Sequence, residues 1–460
     1  MIDVELKRAL GLWSAVAIVV GTVIGSGILL VPKTMVLNVG TPGMVSFVWI
    51  FGGVLSLAGA LTYAELAAAM PEAGGEYVYL REAYGPFWGF LYGWTQMWVA
   101  KSGSIATLAT GFFLFLANFR PGLERVLYTI PLPLGAGGAP LDIRYGQLAA
   151  IGVILLLGLV NYFGVRAGGD LQVVVTFIKV AIIAAVIVVG FTSSLGDTAH
   201  FATSVPAPGG IPGFFAALVA ALWAYDGWNN VSMVSSEIRN PQRNLPLALI
   251  LGTLLVIVLY VLTNFAYFYV LSASQVAASD RVPAEMMRRI FGPGAANLVS
   301  IGAMISIFAA LNGSILSGSR VPYAMARDGR FFHAVARVHP RHRTPSVSIL
   351  LLSLWSSLLV LSGQYDQLFN YVIFASWILY GMATASVIVL RKKRPDLVRP
   401  YRAIGYPVVP ILFVLVAAAL ILSTLLKSPR ESIMGLVLIL AGVPFYSYWK
   451  NANARRSGGP

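Results

Sequence analysis

The chain has 460 residues, of which 58% are hydrophobic and only 11% are charged. Soluble domains carry about 25% charged residues, so this composition excludes a soluble protein and indicates one embedded in a membrane. Cysteine is absent, which excludes disulfides, thiolate metal sites and a cysteine nucleophile. The formal net charge of +14 would suit either a nucleic acid or an anionic lipid surface, and the placement of the basic residues decides between them.

Twelve apolar stretches follow one another along the chain. Each is about 20 residues long or longer, which suits membrane-spanning helices and not the shorter strands of a transmembrane barrel. We expect an all-α membrane protein with about 12 transmembrane helices, forming a single domain over residues 1–460. The predicted spans are 12–36, 43–69, 86–118, 143–163, 168–192, 212–236, 245–272, 294–325, 346–362, 367–390, 405–427 and 431–449.

Lysine and arginine concentrate in the loops that share one side of the membrane with both chain ends. Because cytoplasmic loops carry an excess of basic residues, we expect both termini in the cytoplasm of a multi-pass protein of the cell (inner or plasma) membrane. The positive charge then faces lipid headgroups, and no nucleic acid partner is expected. The basic residues of these loops are Lys7, Arg8, Arg81, Arg166, Arg239, Arg243, those of 320–343 and 391–402, Lys450, Arg455 and Arg456.

The first span carries Gly25-Ser26-Gly27 at its centre. Glycine costs about 1 kcal/mol relative to alanine inside a helix, so this triplet favours a break at mid-membrane. The amides that begin the second half of a broken helix attract an anion, and the carbonyls that end the first half attract a cation. An amino acid carries both charges side by side. The alternative is plain helix packing, because Gly21 and Gly25 also form a G-x-x-x-G pattern.

A second break is predicted in the sixth span, about 200 residues later, at W-A-Y-D-G-W-N-N (223–230). Asp226 would cost about 2.5–3.5 kcal/mol at the centre of a lipid-facing helix, and Gly227 loosens the helix beside it. Five spans precede this break, so two halves of five spans have opposite orientation and form an inverted repeat. The repeats would be 12–192 and 212–390, followed by two additional helices over 405–450. This symmetry favours a transport site over simple packing.

Charged residues in or directly beside the predicted spans include Lys179, Lys101, Glu65 and Glu237. Lys179 is too deep to reach the membrane surface, so we expect it to face the interior and find carbonyl or carboxylate partners. Lys101 is similarly deep, and a structural role is favoured for it. Glu65 and Glu237 lie near the cytoplasmic ends of their spans, where pairing with loop arginines is expected. No nucleophile–base set, metal set or nucleotide-binding motif occurs, so no enzyme activity, metal or cofactor is expected.

The sequence resembles the amino acid–polyamine–organocation (APC) superfamily in four places, taken in order along nearly the whole chain. The sixth-helix motif is similar to that of the L-type amino acid transporter (LAT) branch, and bacterial serine/threonine exchangers resemble it most. The matching motifs are G-T-V-I-G-S-G-I-L-L-V-P (21–32), Y-A-E-L (63–66) with P-E-A-G-G-E-Y-V-Y-L (71–80), W-A-Y-D-G-W-N-N (223–230) with E-I-R-N-P-Q-R-N-L-P (237–246), and S-R-V-P-Y-A-M-A-R-D-G (319–329).

This resemblance implies a LeuT-like fold of ten core helices plus two, and sodium-independent transport of L-amino acids. The first-break amides would receive the substrate carboxylate, and carbonyls of both breaks would receive its ammonium. Trp223 would close over the substrate, and the Lys179 ammonium would replace a sodium ion of sodium-coupled relatives. The implied substrate-binding residues are Val23, Ile24, Gly25, Ser26, Gly27, Ile28, Trp223, Ala224, Tyr225, Asp226 and Gly227.

Two departures from the animal members of the branch bear on partners and selectivity. Those members are linked to a single-span glycoprotein through a cysteine, which this chain lacks, so no disulfide-linked heavy chain is expected. Asp226 stands where several animal members have glycine, which leaves the preferred side chain open.

The favoured function is exchange of neutral amino acids by alternating access. A proton-coupled symporter, or a carrier of cationic amino acids or polyamines, could use the same scaffold. A ligand-binding membrane receptor or a channel is the alternative from another class, because broken helices could bind a ligand or line a pore without alternating access.

Overall fold

The computed structural model describes residues 5–130, 141–362, 365–427 and 429–456, and within them the chain is almost entirely helical. Long runs of apolar residues without internal charges form these helices, because each helix satisfies its own backbone groups in lipid. The helices are α1 (Leu12–Val23), α2 (Gly27–Val39), α3 (Pro42–Ala69), α4 (Glu76–Tyr84), α5 (Pro86–Thr95), α6 (Lys101–Leu116), α7 (Tyr145–Tyr162), α8 (Val165–Thr192), α9 (Gly210–Tyr225), α10 (Asn230–Met233), α11 (Pro241–Val270), α12 (Ala273–Ala277), α13 (Val282–Phe291), α14 (Pro293–Gly318), α15 (Arg320–Arg327), α16 (Ser346–Ser362), α17 (Tyr365–Lys393), α18 (Val408–Lys427), α19 (Pro429–Leu440) and α20 (Gly442–Arg456).

Each predicted span coincides with a helix or a pair of helices. In the described part of the chain, nine helices are long and apolar enough to cross a membrane, or ten if the bent pair α1 and α2 counts as one span. The shorter apolar helices α9 and α16 occupy two more predicted spans. The structure therefore confirms an all-α membrane protein, while the total of twelve crossings stays a prediction.

A short β-hairpin follows α6 and departs from the all-helical expectation. Strand β1 (Val126–Ile130) pairs antiparallel with β2 (Leu141–Arg144), with Thr129 opposite Asp142. Arg125 precedes β1, Arg144 ends β2, and Tyr145 then begins α7. Residues 131–140, between the strands, lie outside the described residues. The hairpin therefore sits in a connection between spans and leaves the helical core intact.

The centre of the molecule is built from α1, α2 and α9, which are packed by α3, α8, α11 and α14. Small residues allow this close packing, as in other membrane helix bundles. A Cβ at Gly252 of α11 would lie 2.7 Å from Val19 of α1, and one at Gly53 of α3 would lie 2.9 Å from the Tyr225 hydroxyl of α9. By contrast, α8 and α18 leave wide apolar faces exposed, which suits contact with lipid.

Ion pairs close the face of the molecule at which α1 begins, hereafter the N-terminal face. Arg320 binds Glu237 at 2.7 and 3.0 Å, and both side chains are fully buried. Glu65 binds Arg391 and Arg399. These contacts confirm the predicted pairing of the two glutamates with arginines.

Candidate functional site

The first predicted break is confirmed. Helix α1 ends at Val23, α2 begins at Gly27, and the two axes differ by 41°. Gly27 and Ile28 occupy the first two positions of α2, where a helix provides no intrahelical acceptor for its amides. The start of α2 therefore offers donors to an anion at the centre of the bundle.

The second predicted break is confirmed as well. Helix α9 ends at Tyr225 and α10 begins at Asn230. Gly227 lies between the two helices and has a φ of +106°, a backbone conformation that residues other than glycine rarely adopt. The Asp226–Gly227 pair thus interrupts the sixth span as its composition indicated.

The two breaks touch each other. A Cβ on Gly27 would lie 2.5 Å from the Ala224 Cα, so the backbones are in direct contact. The Thr22 hydroxyl donates to the Gly227 carbonyl at 3.0 Å. The hydroxyl of Tyr260, on α11, lies 2.9 Å from the Val23 carbonyl and 3.0 Å from that of Ala224. One side chain therefore bridges the carbonyl ends of both half-helices.

Lys179 of α8 binds the first break from behind. Its ammonium donates to the carbonyls of Gly21 at 2.7 Å, Ser306 at 3.1 Å, and Ile24. The Ser306 hydroxyl also donates to the Ile24 carbonyl, at 3.1 Å. The prediction that Lys179 faces the interior and finds carbonyl partners is confirmed. Its single charge joins α8, the end of α1 and α14.

Several predicted ammonium acceptors already have partners in this conformation. The Ile24 carbonyl accepts from Lys179 and Ser306, and the Trp223 carbonyl accepts from the Asp226 amide at 3.1 Å. The single hydroxyl proton of Tyr260 is shared between the carbonyls of Val23 and Ala224. A carbonyl oxygen has two lone pairs, so Val23, Ala224 and Trp223 can each accept from a further donor, whereas Ile24 already accepts from two. The assignment of these carbonyls to a substrate ammonium stays a prediction.

A buried polar cluster lies beside the second break. The Tyr380 hydroxyl donates to Asp226 at 2.7 Å, and the Lys101 ammonium donates to the Asn230 side chain at 2.6 Å. Lys101 follows a turn of π-helix (Gln96–Ala100), a rare feature that is frequent at functional sites. Its ammonium also interacts electrostatically with Asp226 and Glu76. Lys101 of α6 therefore contacts the residue that follows the second break, although no motif around Lys101 indicated this contact.

Glu76 extends this cluster toward the N-terminal face. It is fully buried and accepts a hydrogen bond from Asn229, which stands in the second break. The Gly74 amide donates to the Met233 carbonyl at 2.9 Å, so the loop before α4 is fastened to α10. Residues 71–80, which resemble a loop signature of the family, therefore fix the position of α10, the second half of the interrupted sixth span.

Two cavities meet at Trp223. A cavity of about 20 Å³ lies between the breaks, and its lining includes Ser26, Gly27, Asp226 and Trp223. It has room for about one water molecule and is too small for an amino acid. A second cavity of about 750 Å³, hereafter the vestibule, lies at the face where α2 ends and also reaches Trp223. Trp223 therefore stands between the vestibule and the breaks.

Two interrupted helices that meet at the centre of a helical membrane bundle define a class, the secondary transporters, whose substrate sites form at such breaks. Within that class, the profile of the amino acid permease family matches residues 10–443. The chain belongs to this family, whose members are transporters and not enzymes.

Three relatives illustrate the range of solutes within the family. The serine/threonine exchanger SteT of Bacillus subtilis (strain 168) is 34% identical over 98% of this chain and 99% of its own. The b(0,+)-type amino acid transporter 1 of Homo sapiens is 34% identical over 96% of this chain and 88% of its own. The cystine/glutamate transporter of Homo sapiens is 31% identical over 96% of this chain and 85% of its own. The predicted superfamily and LAT-type likeness are thereby confirmed.

Proposed function

We propose that this protein exchanges neutral L-amino acids across the cell membrane, without sodium, by alternating access between its two faces. The observation that carries this proposal is the contact of the two breaks at Gly27 and Ala224. It brings a helix N-terminus and the carbonyl ends of two half-helices to one point, which is the charge pattern of an amino acid main chain. The similarity to SteT, which is named a serine/threonine exchanger, and to two relatives named as transporters supports the same function.

In this mechanism the substrate carboxylate binds the amides of Ser26, Gly27 and Ile28. The substrate ammonium binds carbonyls at the ends of α1 and α9, where Tyr260 already bridges Val23 and Ala224. The cavity between the breaks is too small for this pair of charges in the present conformation. Substrate binding therefore requires Trp223 and the adjoining half-helices to move apart. Once the substrate is bound, Trp223 would return and separate it from the vestibule.

The first repeat in this proposal spans 12–192 and the second spans 212–390, with 405–450 added. The equivalent positions of the breaks, in the first helix of each repeat, support this division. One repeat rocking against the other would open the site to either face in turn. Both termini would be cytoplasmic, so the vestibule would face outward.

Sodium independence is supported by Lys179. Its ammonium binds three carbonyls around the first break and so supplies a fixed positive charge there. Hard cations such as sodium favour oxygen ligands of this kind, and a resident ammonium occupies them instead. We therefore expect exchange to proceed equally in sodium and in choline media.

Counterflow in reconstituted vesicles tests the proposal. Vesicles loaded with unlabelled L-serine or L-threonine should accumulate the labelled amino acid, and empty vesicles should not. The same rates with and without an imposed pH gradient support exchange, whereas uptake driven by the gradient alone would identify a proton-coupled symporter. Accumulation of labelled putrescine or lysine in preference to serine would identify a cationic carrier. Binding without transport, or current that does not saturate, would identify a receptor or a channel.

Replacement of Asp226 by asparagine should weaken substrate binding by about tenfold, because the carboxylate strengthens the field on the substrate ammonium and hydrogen bonds to charged groups contribute about 1.5–3 kcal/mol. The Tyr380 hydroxyl, 2.7 Å from Asp226, can still donate to the asparagine oxygen. The measurement is KM for exchange at acidic and neutral pH.

Tyr380→Phe is the matched control, since it removes the partner hydroxyl and leaves the carboxylate in place. It should change KM less than Asp226→Asn does. A KM and a pH profile that both survive Asp226→Asn unaltered would remove Asp226 from the site.

A further inference from the structure

The vestibule is lined by more positive than negative charge. Among its described lining residues are three basic side chains, Lys33, Arg281 and Lys427, against one carboxylate, Asp280. Its walls come from α2, α9, the end of α6, the segment between α12 and α13, and the end of α18. A solute that reaches the breaks from this face must cross this surplus of positive charge.

The three basic side chains of the vestibule differ in how many of their N–H donors already have acceptors within the protein. Arg281 binds the Asn118 side chain and the Leu114 carbonyl, at 3.0 and 3.2 Å, and its guanidinium lies 5.7 Å from the Phe115 ring centroid. It is therefore held as a structural link between α6 and the segment before α13.

The two lysines keep donors for a ligand. The Lys33 ammonium binds Asp280 at 2.6 Å, and the Lys427 ammonium donates to the Pro212 carbonyl. An ammonium has three donors, so each lysine can add a further acceptor. The Asp280 side chain is 85% exposed, and such surface pairs contribute only about 0–1 kcal/mol. The Lys33–Asp280 pair can thus open to admit a ligand at little cost.

We propose that the vestibule is itself a binding site for the amino acid carboxylate, with Lys33 and Lys427 as its ligands. This inference rests on the proposed function and adds a second, outer position to it. The vestibule volume of about 750 Å³ falls within the range of small-molecule pockets, so it accommodates an amino acid with water. Asp280 can then accept from the substrate ammonium once Lys33 turns to the carboxylate.

The outer site raises the local concentration of solute next to Trp223. Because a neutral amino acid has no net charge, the lysines act on its carboxylate through direct contacts and not through long-range steering, and salt weakens these exposed contacts. The gain applies only to solute arriving from the vestibule face, because Lys33 and Lys427 line the vestibule and not the N-terminal face. The outer site therefore makes apparent affinity unequal on the two faces.

The test compares uptake of labelled L-serine by intact cells with uptake by inside-out membrane vesicles, in low and high salt. In the double variant Lys33→Gln/Lys427→Gln, KM should rise about tenfold on the vestibule face only, because the charged hydrogen bonds to the carboxylate are lost, and its salt dependence there should disappear. The maximal rate should stay within about twofold, because the breaks are untouched. Lys33→Arg/Lys427→Arg should keep a low KM, since both charges remain.

Lys392→Gln is the matched control: it removes one exposed lysine from the end of α17, remote from the vestibule. Its KM should equal that of the unaltered protein on both faces. An unchanged KM in the double variant, or a KM raised equally on both faces, overturns the outer site. Absence of serine and threonine counterflow by the unaltered protein would instead overturn the proposed function, and the outer site with it.

Discussion

Replacement of Gly27 by valine should eliminate amino acid exchange by the reconstituted protein, and replacement by alanine should reduce it about ten- to a hundredfold. A Cβ at this position would lie 2.5 Å from the Ala224 Cα and 2.6 Å from its Cβ. Those atoms belong to a helix backbone and cannot turn aside, so the two breaks must separate. Overpacking of this kind costs about 1–3 kcal/mol, and 1.4 kcal/mol corresponds to a factor of ten. The measurement is kcat/KM for counterflow at equal amounts of protein in the vesicles.

Two matched glycine-to-alanine changes isolate the cause. At Gly25 the nearest atom to a Cβ is the Leu108 Cδ2 at 3.1 Å, the far end of a flexible side chain, so Gly25→Ala should retain more exchange than Gly27→Ala. At Gly152 of α7 no atom of the described residues lies within 4 Å of an added Cβ, so Gly152→Ala should be neutral. Equal activity for Gly27→Ala and Gly152→Ala would show that close contact of the breaks is unnecessary for transport.

Local sequence was enough to locate both breaks. Glycine and aspartate disfavour a helix through their own backbone and side-chain properties. The triplet Gly25-Ser26-Gly27 follows the end of α1 closely, and the pair Asp226-Gly227 follows the end of α9 directly. The depth of Lys179 in an apolar span likewise predicted its interior carbonyl partners, because a buried ammonium must find acceptors. Both inferences depend on local properties, namely the helix propensity of a few adjacent residues and the depth of one charge in its own span.

The contacts between breaks and their neighbours could not be predicted in this way. Tyr260 bridges Val23 and Ala224, and Tyr380 binds Asp226, across 237, 36 and 154 residues of sequence. A tyrosine in an aliphatic span signals only a hydroxyl in need of a partner, and periodicity does not say which helix supplies it. The orientation of Lys101 toward Asn230 depends equally on how α6 packs against the sixth span.

The β-hairpin shows the same limit on a smaller scale. Its strands belong to a connection rich in proline and glycine, which hydropathy marks only as lying outside the membrane. Thr129 and Asp142 come into register there, and the Thr129 hydroxyl donates to the Asp142 carboxylate at 2.7 Å. Hydropathy alone does not specify which residues of two short strands lie opposite each other.

Replacement of Lys179 by alanine should lower the exchange rate about a hundredfold while the protein still folds and inserts. The ammonium holds three buried carbonyls, and a hydrogen bond to a charged group contributes about 1.5–3 kcal/mol, so its loss releases the end of α1 from α8 and α14. Folding should suffer less than exchange, because burying the lysine is itself costly and the alanine removes that cost. The measurements are the exchange rate at matched protein levels and the thermal unfolding midpoint.

Lys179→Met separates charge from side-chain length. Methionine fills a similar volume without donors, so it should exchange as slowly as alanine, whereas a purely steric role would let it recover activity. Sodium should raise the residual exchange of Lys179→Ala above that seen in choline, since carbonyl oxygens left by the ammonium suit a hard cation. Full exchange by Lys179→Met, with no effect of sodium on either variant, would show that the positive charge at the first break plays no part in transport.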